Sequence, residues 1–202
     1  MKNFKGKTVI GITGGIGSGK SMLCRMLKEN GYKVIYADSL TKELYQKDKK
    51  LLQKLVETFS KDILNFKGKL ILPKLKEIIF SSEKNFKKVN SIVHPVVIEA
   101  IKKEIIKAKE KVVIIEAALI FESGFDKFLD YVITIFSNKK NRTERIMFRD
   151  GVRKKDVDKV MKLQMDDRIK VEKSDFVVIN NKTIDHLHKQ AEILGKIINI
   201  IS

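Results

Sequence analysis

The chain has 202 residues, 43% of them hydrophobic and 33% charged, a composition that excludes a disordered chain and suffices for a single well-filled core. No stretch approaches the ~20 consecutive apolar residues of a membrane helix, and Gly14 to Ser21 interrupt the apolar run after the basic Met1–Lys7 stretch, which argues against a signal peptide. The formal charge of +17 either favours anionic partners or is simply that of a lysine-rich solvated surface, and the single cysteine, Cys24, excludes an internal disulfide and fits a reducing cytoplasm.

In chain order, residues 8–13 form the first β-branched run and predict a buried strand. A glycine-rich stretch follows. Residues 20–30 carry apolar Met22, Leu23, Met26 and Leu27 at helical spacing, with Cys24 packing among them, and Gly31 supplies a stop. Residues 33–36 read as a second strand. From 39 to 110 the pattern is helix after helix, with Pro73 and Pro95 each placed as first-turn prolines. Strands are predicted at 112–116, 131–136 and 176–180, and a second, shorter helical insertion at 139–170. Four of the five runs are nearly continuous apolar stretches, as expected of strands covered on both faces. The alternation predicts an α/β fold of P-loop NTPase type, a parallel five-stranded sheet flanked by helices. The expected organisation is one kinase domain: core 1–38, 111–138 and 171–202, a helical acceptor-binding insertion 39–110, and a short helical lid 139–170.

The stretch Gly14-Gly15-Ile16-Gly17-Ser18-Gly19-Lys20-Ser21 matches G-x-x-x-x-G-K-[ST], entered by a strand and left by a helix. Its glycines let successive N–H groups turn inward on a phosphate, and the helix N-terminus adds partial positive charge. Lys20 is expected to reach the β- and γ-phosphates, and the Ser21 hydroxyl to ligate Mg²⁺. ATP and Mg²⁺ are thus the expected co-substrate and ion, and Gly15 through Met22 the expected nucleotide-binding residues. Asp38 stands just past the carboxyl end of the second strand, the edge where open α/β sheets bind ligands. It can orient an acceptor hydroxyl and take its proton late, or it can cap the helix expected at 39–46.

Arginine is rationed. Only six of the 42 basic Lys and Arg residues are arginine, and five of them lie between Arg142 and Arg168. Its planar fork suits bidentate phosphate contacts better than the lysine point charge does, so this segment reads as a phosphate clamp. Glu116 ends the third strand and can touch Mg²⁺ through water; Glu122 can equally be a structural acid. His94 precedes Pro95, which biases it to extended backbone; it can donate to a substrate phosphate or cap a turn. His186 and His188 read as surface residues of a C-terminal helix.

Beyond the P-loop, several segments resemble the dephospho-CoA kinase family, in order and over nearly the whole chain. They are the Ala37-Asp38 pair after the second strand, Asn90-Ser91-Ile92-Val93-His94-Pro95, Leu119-Ile120-Phe121-Glu122, Arg145-Ile146-Met147-Phe148-Arg149-Asp150-Gly151, Gln164, and Phe176-Val177-Val178-Ile179-Asn180-Asn181. The resemblance implies phosphorylation of the ribose 3′-hydroxyl of dephospho-CoA by ATP, giving coenzyme A and ADP. It implies that Asp38 is the hydroxyl-orienting base, that Arg145 and Arg149 bind ATP from the lid, and that Asn180 borders the adenine. It further implies that the insertion holds the acceptor with His94 near it.

Some positions depart from the family pattern. Met22 replaces the usual Thr after the P-loop Ser, Ile71-Leu72 an Asp-Arg pair, Lys76 an Arg, Arg142 the usual lid Gln, and Ala118 a Pro. Two rivals stay open: a nucleoside or nucleotide kinase on the same scaffold, and a nucleic-acid-binding P-loop protein suggested by the charge. The absence of Trp, with most Phe and Tyr inside apolar patterns, weighs against the second. The expected partners are therefore ATP and dephospho-CoA, with no specific nucleic acid and no membrane, for a cytoplasmic monomer or weak homo-oligomer.

Overall fold

A computed structural model describes residues 4–202, so the first three residues of the basic Met1–Lys7 stretch lie outside the described residues. The chain divides into two compact units. One contains the residues up to Tyr36 together with Glu104–Ser202; the other is Ala37–Lys103.

The first unit is built on five parallel strands, β1 (Thr8–Thr13), β2 (Lys33–Tyr36), β3 (Val112–Glu116), β4 (Tyr131–Phe136) and β5 (Phe176–Ile179), in the order β2-β3-β1-β4-β5. The register pairs Ile12 with Glu116 and with Ile133, and Tyr36 with Glu116. β1 is central and buried along its whole length, which is why its sequence is continuously apolar rather than alternating. Gly11 lies where a Cβ would come within 2.8 Å of the Ile120 side chain. Helix α1 (Lys20–Glu29) and the C-terminal helix, numbered below, share one apolar cluster with the sheet, built on Ile10, Ile12, Leu23, Cys24, Leu27, Ile133, Leu194 and Ile198. Burial pushes the Cys24 thiol well above its ordinary value, so it is a packing residue. The Asp130 carboxylate accepts from Val9 N (2.8 Å) and the Asp175 carboxylate from Val132 N (2.7 Å), satisfying amides near the starts of β1 and β4.

The second unit is helical: α2 (Ala37–Lys47), α3 (Lys49–Phe59), α4 (Leu72–Ser81) and most of α5 (Glu83–Lys107), whose last turn belongs to the first unit. Asp48 caps α3, accepting from Leu51 N at 2.9 Å, and Pro73 stands in the first turn of α4. Two local readings are corrected here. Helix α2 starts at Ala37 rather than at Ser39, so Asp38 sits inside its first turn and is not its cap. Helix α5 runs through Pro95 without ending, so His94 is helical rather than extended, and Pro95 is not a first-turn proline. Proline in a helix interior removes one N–H and crowds the preceding turn. Against that stand Val89, Val93, Val97, Ile101 and Ile105, five apolar residues at every fourth position of α5, each 8% exposed or less. Their burial outweighs the local preference of one dipeptide.

The chain returns through α6 (Lys139–Asp150), α7 (Lys154–Leu163), α8 (Asp167–Lys173) and, after β5, α9 (Ile184–Ile201). Tyr32 ties the start of β2 to α9, donating to Gly195 O at 2.9 Å with its oxygen 2.7 Å from Asn199 Oδ1. A buried ion pair ties α8 to the segment after β3. Lys170 is fully buried, and its Nζ donates to Ala118 O (2.7 Å) and Glu122 Oε1 (2.9 Å); the same carboxylate oxygen accepts from Met165 N (2.9 Å). Burial pushes the Lys170 ammonium below its ordinary value, against the opposing pull of Glu122. Glu122 is therefore a structural acid. Removing one partner of such a pair strands a buried charge and costs about 3 kcal/mol, whereas replacing both partners by apolar groups costs far less. Glu122→Ala is accordingly expected to lower the urea midpoint markedly, and Glu122→Leu combined with Lys170→Met to recover most of the loss. A double variant no more stable than Glu122→Ala would contradict the pairing argument.

Candidate active site

The glycine-rich loop leaves β1 at its carboxyl end and enters α1. Gly19 takes φ +103° at the N-cap of α1, a conformation L side chains rarely adopt, and a Cβ there would run into the Asn180 amide. Asn180, just past β5 and buried, donates from Nδ2 to Ser18 O at 2.8 Å. Lys20 is 8% exposed and folds back along the loop, donating to Gly14 O (2.8 Å) and Gly15 O (3.2 Å). The Ser18 hydroxyl is buried without a hydrogen-bond partner among the described residues. Ser21, exposed at the start of α1, places its Oγ 3.4 Å from Glu116 Oε1. That pairing brings a hydroxyl at the start of α1 and a buried carboxylate at the end of β3 together. Both are hard oxygen donors of the kind Mg²⁺ takes while keeping most of its waters. Among the described residues no group of three or more His, Cys, Asp or Glu forms a dedicated metal cage.

Helix α6 lies against the loop. Arg145, partly buried, donates from Nη2 to Asn180 O (3.1 Å) and from Nη1 to Ser137 Oγ (3.2 Å), with Gly17 O at 3.5 Å. One turn earlier Arg142 is 4% exposed; its Nε donates to Ile16 O at 2.8 Å and its Nη1 forms an ion pair with Asp167. Burial pushes its guanidinium below the ordinary value, with the charge of Asp166 opposing. Gln164, at the end of α7, accepts from Ile16 N at 2.8 Å. Arg149 is exposed and holds Asp150 through two 2.7 Å hydrogen bonds; that pairing holds its guanidinium above the ordinary value.

The residues expected from the sequence fall into two groups. Gly15, Ile16, Gly17, Ser18, Gly19, Lys20 and Ser21 line the loop itself, with Arg145 and Asn180 bonded to it. Met22 contributes its backbone to the first turn of α1, donating to Gly19 O at 3.1 Å. Arg149 belongs to the same helix as Arg145 but spends its fork on Asp150. Asp38 and His94 lie in the other unit: Asp38 exposed in the first turn of α2, two residues after β2, and His94 half-buried midway along α5. Burial pushes the Tyr45 hydroxyl up to about 12, and the negative charge of Asp38 on the same helix adds to the shift. Sequence reasoning missed the loop contacts of Arg142 and Gln164. The clustering of arginine pointed to the first, and nothing local to residue 164 pointed to the second.

The family model described as "Dephospho-CoA kinase" matches residues 8–186. A dephospho-CoA kinase of Fusobacterium nucleatum is 37% identical over 184 residues, covering 91% of this chain and 95% of the relative. A crystal structure of a Thermus thermophilus protein is similar with TM-score 0.78 at 26% identity, covering 93% of this chain and 96% of that one. A dephospho-CoA kinase structure from Campylobacter jejuni is similar with TM-score 0.67 at 27% identity, covering 100% of this chain and 98% of that one. With its phosphate-binding loop, its parallel sheet order and a match running from β1 into α9, this chain belongs to the dephospho-CoA kinase family.

Proposed function

We propose that the chain transfers the γ-phosphoryl group of ATP to the ribose 3′-hydroxyl of dephospho-CoA, giving coenzyme A and ADP. The observation that carries this reading is the family match over residues 8–186, which takes in the loop, both helical insertions and the last strand. In the reaction the hydroxyl oxygen forms a bond to the γ-phosphorus while the bond from that phosphorus to the β–γ bridging oxygen breaks. The leaving ADP keeps the electron pair, and the hydroxyl proton passes to a base. Little covalent work falls to the protein; positioning and charge neutralisation dominate.

The roles follow from the residues. The glycine-rich loop receives the phosphates on amides other than those of Ile16 and Ser18, which donate to Gln164 and to Gly15 O, and Lys20 exchanges its two carbonyl partners for β- and γ-phosphate oxygens. Ser21 and Glu116 would hold Mg²⁺, which when bound neutralises charge on those oxygens. Arg145, bonded to the loop and to Asn180, offers a fork to the nucleotide, and Asn180 borders the adenine. Arg149 serves only if ATP draws it from Asp150. Asp38 is the base that orients the 3′-hydroxyl. Its place in the chain supports this: it follows two residues after Tyr36, where β2 ends. His94 is assigned to the acceptor. Among the described residues no helix is long and apolar enough to cross a membrane, and we take the enzyme to work in the cytoplasm as a monomer or weak homo-oligomer. Three tests follow.

Across dephospho-CoA, adenosine, AMP, CMP and shikimate, ADP release is expected to show the highest kcat/KM with dephospho-CoA. A nucleoside monophosphate at the top of that panel would retain the cradle and overturn the acceptor.

Asp38→Asn is expected to keep the Tm and the ATP affinity and to lose about 10²–10⁴-fold in kcat, the usual contribution of a positioned base. A folded, ATP-binding variant with wild-type turnover would remove Asp38 from the chemistry.

Arg145→Lys is expected to behave much like Arg145→Ala in its KM for ATP, because lysine cannot reach Asn180 O and Ser137 Oγ together. Full recovery by lysine would mean that only charge matters there.

A further inference from the structure

The Ile16 peptide is held on both sides by residues far along the chain. Its N–H donates to Gln164 Oε1 (2.8 Å), and its C=O accepts from Arg142 Nε (2.8 Å). Arg142 is itself anchored by Asp167 and is 4% exposed. Its guanidinium also covers the preceding residue: a methyl group on Gly15 would sit 2.5 Å from Cζ and 2.6 Å from Nη1. The backbone of the same helix closes on the next glycine, where a Cβ at Gly17 would meet Arg142 O at 2.8 Å.

We propose that Arg142, with Gln164 opposite it, is a positioning residue for ATP: it holds the crest of the loop at Ile16 in the curl that aims the neighbouring amides at phosphate. It does so through the backbone and not by touching the nucleotide. The proposal rests on the reading of Gly14–Ser21 as the ATP cradle and deepens it. A guanidinium that is buried, ion-paired through Nη1 and hydrogen-bonded from Nε to a carbonyl has its charge answered within the protein, unlike an arginine waiting for an anion. The first turn of α6 is thereby a buttress of the loop, and any lid movement must hinge beyond it. Arginine is required because Nε and Nη1 serve partners in two directions at once, Ile16 O and Asp167. A lysine ammonium on its flexible stem can serve one of them.

The test compares wild type with Arg142→Ala, Arg142→Lys, Asp167→Asn, Gly15→Ala and the Gly15→Ala/Arg142→Ala double variant. Each is measured by calorimetric titration with ATP, by KM for ATP and kcat, and by Tm. Arg142→Ala is expected to weaken ATP about ten- to hundredfold, the range of one lost hydrogen bond to a charged group. KM for ATP should rise in step, while kcat at saturating ATP changes far less. Arg142→Lys should recover little of the affinity. Asp167→Asn, which leaves the guanidinium in place but unanchored, should lie between wild type and Arg142→Ala, and it carries the test if Arg142→Ala does not fold. Gly15→Ala should weaken ATP in the wild-type background and add little in the Arg142→Ala background, because the group it collides with is gone.

Unchanged ATP affinity in Arg142→Ala or Asp167→Asn overturns the proposal. So does full rescue by lysine, or strict additivity of the Gly15 and Arg142 substitutions. A wild-type protein that fails to bind ATP is a different failure: it removes the cradle reading itself.

Discussion

An anion-binding loop must keep several backbone N–H groups turned inward, unpaired with its own backbone, so that a phosphate finds them ready. Such a peptide is not held by the ladders that hold strands and helices, and buried amides without partners are costly. Here the loop borrows its shape from elsewhere. Asn180 grips Ser18 O, Gln164 and Arg142 grip the two sides of Ile16, and Arg145 reaches toward Gly17 O. These contacts span 126 to 162 residues of sequence. The local glycine pattern permits the curl, and the distant side chains select it.

The sheet makes those long connections short in space. With β1 central and every pairing parallel, each strand leaves the sheet at the same carboxyl edge and the chain crosses back to the amino edge before the next, so the exits of β3, β4 and β5 share the edge at which the loop leaves β1. Glu116 closes β3, Ser137 follows β4 and Asn180 follows β5. Asn181 adds a further tie, its Oδ1 accepting from Asn138 N at 2.8 Å and from Ser137 Oγ at 3.2 Å. The start of α6 is thus fixed to the exit of β5, and the arginines of α6 inherit that position.

The strands were legible because burial on both faces writes itself as continuous β-branched runs; all five strand starts agree with the expected ones, and only the end of β5 moves, from Asn180 to Ile179. The loop was legible because its chemistry is local. Pro95 was misread, because a dipeptide preference is visible in sequence while the stripe from Val89 to Ile105 that overrides it acts through tertiary burial. The start of α2 was misplaced for a related reason: no cap residue separates it from β2. Glu122 was readable as a structural acid and Gln164 fell within the family pattern, but their partners Lys170 and Ile16 left no local trace, since each contact joins residues with dozens of others between them.

Three arginines on α6 show how little residue type decides by itself. Arg142, Arg145 and Arg149 share one helix and one side chain, yet their surroundings divide them. Arg149 is exposed and satisfied by its own neighbour, where screening by water leaves a surface pair weak. Such a pair can be exchanged for a phosphate. Arg145 is partly buried and bonded to carbonyl and hydroxyl oxygens, neutral partners that leave its charge available. Arg142 is buried against a carboxylate and a carbonyl, with its charge already answered. The gradient from committed to available charge runs along the helix, from the loop outward. In a chain that meets most of its need for positive charge with lysine, Arg142 and Arg145 stand where one cation reaches fixed partners in two directions at once. A planar fork holds such divergent partners from different nitrogens with little further loss of freedom, where an ammonium offers a single nitrogen.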